Sequence, residues 1–150
     1  MTRRGTLQVV AAASGALAFV LAARSLAVDA EPIDVRSHHL THAVLILGGA
    51  VSALALAAAY PRRNPYSEQP QWLLPAILGP LGGMVLMIPT LYPYMNAHPV
   101  THVLSHFGHI IAGFTAAWCG ERYRARVGWA ASLFLEAMAV GAAFGFGVTR

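Results

Sequence analysis

The sequence predicts an all-α integral membrane protein. The expected fold is a single domain over residues 1–150, a bundle of five transmembrane helices with its amino terminus inside and its carboxyl terminus outside. Helices 2 and 4 form a parallel internal repeat within it. Three observations carry this expectation. Of the 150 residues, 57% are hydrophobic and only 11% are charged, whereas a soluble domain carries about a quarter charged residues. The apolar residues gather into five runs separated by short polar segments. The arginines fall in alternate segments, which signals topology rather than a ligand.

The first run, residues 7–28, follows Arg3 and Arg4 and meets the ~20 residues a span requires. Its basic start, apolar middle and small residues Val28 and Ala30 before Glu31 also suit a secretory signal. The run exceeds a usual signal core, so residues 1–30 are expected to be an uncleaved first span, with a signal anchor as the alternative. Arg24 near its far end can snorkel or pair with Asp29. A polar loop over residues 29–37 holds Asp29, Glu31, Asp34 and Arg36.

The second run, 38–60, is rich in small residues (Gly48, Gly49, Ser52, Ala53, Ala55, Ala57) that let helices approach closely in lipid. A turn-rich loop over 61–71 carries Arg62 and Arg63. The third run, 72–94, contains Pro75, Pro80, Pro89 and Pro93 with Gly79, Gly82 and Gly83. That composition predicts a kinked or interrupted helix, with Trp72, Tyr92 and Tyr94 as interfacial anchors. A short outer turn over 95–99 leads to the fourth run, 100–119. Arg122, Arg124 and Arg126 separate it from the fifth, 128–148, which begins at Trp129 and contains Glu136.

Alternation of the spans brings Arg3, Arg4, Arg62, Arg63, Arg122, Arg124 and Arg126 to one side, the cytoplasmic one. All seven histidines then fall at the opposite ends of two helices: His38, His39 and His42 open the second, and His98, His102, His106 and His109 open the fourth. At about 100° per residue, the latter four project within roughly 80° of one another. Residues 38–53 align without gaps on 102–117, matching His38 with His102, Leu40 with Leu104, Thr41 with Ser105, His42 with His106, Ile46 with Ile110, Gly49 with Gly113 and Ala53 with Ala117. Such an echo between parallel helices suggests a repeat about an axis along the membrane normal.

H-x-x-x-H on two facing helices offers four imidazole nitrogens to one metal ion: His38, His42, His102 and His106. His39, His98 and His109 are candidates for an entry ligand, a second site or supporting partners. Neutral imidazole suits copper, zinc, nickel or iron. Met95, and Met87 below it, could add a soft thioether that favours copper(I), and Asp29, Glu31 and Asp34 could collect cations at the mouth. The plain alternative is an interfacial anchoring role, but ionisable residues inside a span mark function by default. Glu136 is either a carboxylate supporting the site, a proton-relay partner of His109, or a glutamate bonded to a neighbouring helix. Met84, Met138 and the lone Cys119 read as packing. No phosphate-binding loop and no basic patch interleaved with aromatics is present, so nucleic acid is excluded as a partner.

HHLTHAVLILGG, followed later by HPVTHVLSHFGHIIAGFTAAW, resembles the CtaG-type family of cytochrome oxidase assembly proteins. There a membrane helix opens with spaced histidines, and a later H-P turn leads into a second such helix ending near a tryptophan. The matching positions are His38, His42, His98, Pro99, His102, His106, His109, Gly113 and Trp118. The resemblance implies copper handling on the outer face of a prokaryotic plasma membrane, in service of a respiratory oxidase. Three alternatives stay open. The histidine spacing is similar to the boxes of membrane di-iron hydroxylases and desaturases. A histidine pair from helices 2 and 4 could hold a b-type haem. The chain could also be a structural subunit of a larger membrane complex or a homo-oligomer embedded in lipid.

Overall fold

The computed structural model describes residues 2–24 and 35–145, apart from the side chains of Val35, Pro89, Tyr92 and Asn96. Six α-helices account for most of them: α1 Arg3–Arg24, α2 Val35–Ala59, α3 Leu73–Leu86, α4 Tyr92–Ala97, α5 Pro99–Tyr123 and α6 Val127–Gly145. No strand occurs among the described residues. Three helices are long and apolar enough to cross a membrane: α1, α2 from Arg36 onward, and α6. A shorter apolar helix, Pro70–Leu86, combines α3 with the 3₁₀ turn before it.

Local sequence explains the boundaries. Thr2 caps α1, its Oγ1 accepting the Gly5 N–H at 3.2 Å, which satisfies one of the four unpaired donors of a helix start. The expected interruption of the third run is present. The helix passes through Pro80 but ends at Leu86, and the chain resumes as a 3₁₀ turn, Pro89–Leu91, and then α4. Pro93 falls in the first turn of α4, where no N–H is required. The outer turn expected from residue 95 is shorter than the sequence suggested, because Met95 and its neighbours up to Ala97 are helical.

Small residues set the packing. On α1 only Ala11, Ala18 and Ala22 are buried, one stripe facing α2. There Ser52 Oγ donates to the Ala11 carbonyl at 2.9 Å, and a Cβ added to Gly48 would lie 2.6 Å from that of Ala18. α2 and α5 cross in backbone contact. A Cβ on Gly49 would collide with the Ile110 carbonyl oxygen, and one on Gly113 with the Ile46 carbonyl oxygen. α3 lies on α5 with Gly79 against Thr115 and Gly83 against Ala112, so the two run antiparallel.

Contacts at the ends give the helix directions. Arg4 stacks on the Tyr60 ring at 4.4 Å, and Gln8 donates to the Tyr60 hydroxyl at 2.7 Å. Arg122 donates to the Tyr60 carbonyl at 3.1 Å, and Arg62 to the Glu121 carbonyl at 3.3 Å. The arginine-bearing segments thus meet at one end of the bundle. Two arginines lie at the opposite end: Arg24, which closes α1, and Arg36, which stacks on Phe144 at 4.6 Å. α1, α3 and α6 therefore run one way, and α2 and α5 the other. The acidic loop with Asp29, Glu31 and Asp34 lies outside the described residues, as does the tail from residue 146.

Candidate metal centre

Helix geometry supplies the site. His38 and His42 stand one turn apart on α2. His102, His106 and His109 stand on successive turns of α5, and all five are buried. The α2–α5 crossing at Gly49 and Gly113 is close enough to bring the imidazoles together at the end away from the arginines. Ring centroids lie 4.3 Å apart for His38 and His42, 4.9 Å for His38 and His102, and 5.4 Å for His38 and His106. They lie 5.2 Å apart for His42 and His106 and 4.7 Å for His102 and His106. His109 stacks on His42 at 3.9 Å with 14° between the planes.

The contacting pairs include positions that the sequence alignment matched: His38 with His102, His42 with His106, and Ala53 with Ala117, which share a small apolar cluster with Ala50. These contacts occur in the same order along both helices, which makes α2 and α5 parallel.

Hydrogen bonding singles out the exposed lone pairs. His109 Nδ1 lies 2.7 Å from the Ser105 carbonyl. A carbonyl only accepts, so Nδ1 carries the proton and Nε2 presents its lone pair. That nitrogen has no hydrogen-bond partner, nor has either ring nitrogen of His42 or His106. Buried polar atoms are rarely left so, and an unpaired one costs about 1–3 kcal/mol. A metal ion bound by neutral imidazoles would use the acceptor lone pairs.

The donor set fits such an ion. One ring nitrogen each from His38, His42 and His106 lie within 4.8 Å of one another. Tetrahedral coordination at ~2.0–2.1 Å places donors about 3.4 Å apart, so small side-chain rotations would close the three around an ion. His102 adjoins the triad, its ring 4.9 Å from that of His38 and 4.7 Å from that of His106. Below, Ala43, Ile46, Met87, Ala112, Ala116, Leu135 and Ala139 form an apolar cluster that closes the site toward the bundle centre.

The remaining candidates divide. His39 is fully buried, with its ring 5.8 Å from that of His42 and 6.3 Å from that of His38, at the margin of the group. His98 is not part of the striped helix. It precedes α5 in an extended conformation (φ −130°, ψ 87°), the one favoured for a residue before proline. Its ring is exposed, stacks on Tyr94 at 4.2 Å and donates from Nδ1 to the Tyr94 carbonyl at 2.7 Å. Met95 is buried on α4. Met87 packs in the apolar cluster beneath the histidines.

Glu136 sits elsewhere. It lines a cavity with Leu47, Val51 and Leu54 of α2, below the histidine level, and its buried Oε2 has no partner. No hydrogen bond joins it to His109. Cys119 is buried toward the arginine end. The sequence did not single out the Ser105 backbone carbonyl, which fixes the His109 ring. Its signal was the four-residue spacing, since a histidine Nδ1 on a helix can reach the carbonyl one turn back.

Comparison with known proteins finds no family model, no curated protein and no solved structure that matches this chain.

Proposed function

We propose that this chain is a polytopic membrane protein that binds a metal ion at the outer face of a prokaryotic plasma membrane, handling copper for the assembly of a respiratory oxidase. In this reading it crosses the membrane five times, with α3 and α4 together making the third crossing. The arginine end is cytoplasmic, the histidine end faces outward, and α2 and α5 are a parallel repeat whose pseudo-twofold axis passes through the metal. The observation that carries the proposal is the buried triad of His38, His42 and His106, whose donor atoms converge at the end opposite the clustered arginines. His102 and His109 complete the imidazole shell.

Imidazole suits copper, zinc and iron alike; copper is favoured by two buried thioethers, Met87 just past the end of α3 and Met95 on α4. A small ion suits the crowding better than a haem, since rings at 3.9–5.4 Å from their neighbours leave no slot for a macrocycle. The short α3, fourteen residues long against the ~20 needed to span, supports assembly with other subunits or further copies of the chain. Metal analysis of protein purified from its own membrane tests the reading: copper at stoichiometric level supports it, and a metal-free protein that takes up none on titration overturns it.

A further inference from the structure

The arginine end holds a second built feature. A cavity of about 290 Å³ opens between α1, α2 and α6, the three helices long enough to cross a membrane. Its wall is apolar, with Leu7, Leu47, Val51 and Leu133, and Glu136 at its deep end on α6. A second cavity of about 170 Å³ adjoins it toward the arginines, sharing Leu54, Ala58 and Trp129. Arg62, Arg122, Tyr60 and Glu121 line this part. The two make one groove, apolar toward the bundle centre and cationic at the membrane surface.

The guanidinium groups have donors to spare. Arg62 donates from Nη1 to the Glu121 carbonyl at 3.3 Å and from Nη2 to the Ser67 carbonyl at 2.5 Å and the Ser67 hydroxyl at 3.2 Å, which leaves the second Nη1 hydrogen and the buried Nε–H without a partner. Arg122 donates once, to the Tyr60 carbonyl, and stacks on Trp118 at 4.2 Å. Each guanidinium carries five N–H groups. The Glu121 carboxylate is turned to the Trp129 backbone N–H at 3.4 Å, and one carboxylate against two guanidinium groups leaves the site positive. Trp129 stands where the two parts join, the level at which indoles favour the membrane interface.

We infer that this groove binds an anionic phospholipid, its phosphate held by Arg62 and Arg122 and an acyl chain lying past Trp129 in the apolar part. Arginine is suited to phosphate by its forked donors. A free phosphate leaves the larger, apolar part unfilled, and a zwitterionic lipid brings no net negative charge to the two guanidinium groups. The inference is independent of the metal site.

The test is native mass spectrometry of the full chain in detergent, with phosphatidylglycerol or phosphatidylcholine of the same acyl chains added, and inorganic phosphate as a competing arm. The phosphatidylglycerol adduct should be retained preferentially and resist displacement by phosphate. It should fall about tenfold or more in Arg62→Gln/Arg122→Gln, given the strength of charge-assisted bonds to phosphate. Ala58→Trp, at an exposed position, keeps both arginines and blocks the junction, so it should lower the adduct as well; it alone decides if the double variant fails to fold. Equal retention of the two lipids, displacement by phosphate, or an unchanged adduct in Ala58→Trp overturns the inference.

Discussion

The imidazoles of His42 and His109 lie face to face, 3.9 Å apart and 14° from parallel. They come from different helices, and His109 is held in place by its Nδ1–H bond to the Ser105 carbonyl. This leaves its Nε2 as the one nitrogen able to bind a metal. His109→Phe keeps an aromatic ring against His42 and removes that nitrogen. If His109 supports the centre, chelator competition should show metal affinity lowered about 10–100-fold, the range for loss of a supporting partner. The helical content should not change. Unaltered affinity would make His109 a packing residue.

The reciprocal contacts of Gly49 with Ile110 and Gly113 with Ile46 make a second prediction. Gly49→Ala and Gly113→Ala each drive a methyl into backbone, which cannot rotate away. Each should destabilise the protein by about 1–3 kcal/mol or more and weaken metal binding, because α2 and α5 carry opposite halves of the centre. Gly82→Ala and Gly141→Ala meet nothing within 4 Å and serve as controls. Thermal unfolding in detergent with parallel metal titration separates the two pairs. Equal behaviour of all four variants would contradict the crossing.

Much of this was legible in the sequence. Histidine spacing and the alternation of arginines were enough to expect His38, His42, His102 and His106 at one end of the bundle, because both depend on helix rise and charge distribution alone. The break in the third run was legible from Pro89 and its neighbours. The rotation of a helix about its own axis was not. The sequence offers Glu136 as a partner of His109, yet Leu135 and Ala139 take the core-facing positions and Glu136 lines the cavity between α1, α2 and α6, below the histidines. His98 was misread for a local reason. Helical periodicity was extended across His98–Pro99, where the proline forces the preceding residue out of helical geometry.

Metal binding should also depend on pH in a stated direction. Imidazole binds a metal only when neutral, so protons compete. Affinity should be constant at alkaline pH and fall on acidification, with metal released in acid. Equilibrium dialysis from alkaline to acid pH checks it. Affinity that rises on acidification would exclude imidazole as the ligand.

The proposed sidedness can be checked without metal. Reporter fusions at Asp34 and at Asn96 should both report the outer side, and one at Arg63 the cytoplasmic side. A cytoplasmic signal at either of the first two would contradict the orientation required for a single shared outer centre.

The most direct test of the central claim is metal content by inductively coupled plasma mass spectrometry. It compares the wild-type chain with His42→Ala/His106→Ala and with His98→Ala, all purified from the native membrane. The wild type should carry stoichiometric copper, His98→Ala, whose ring lies outside the cluster, should retain it, and the double variant should lose it. A double variant that keeps the full metal complement would contradict that claim.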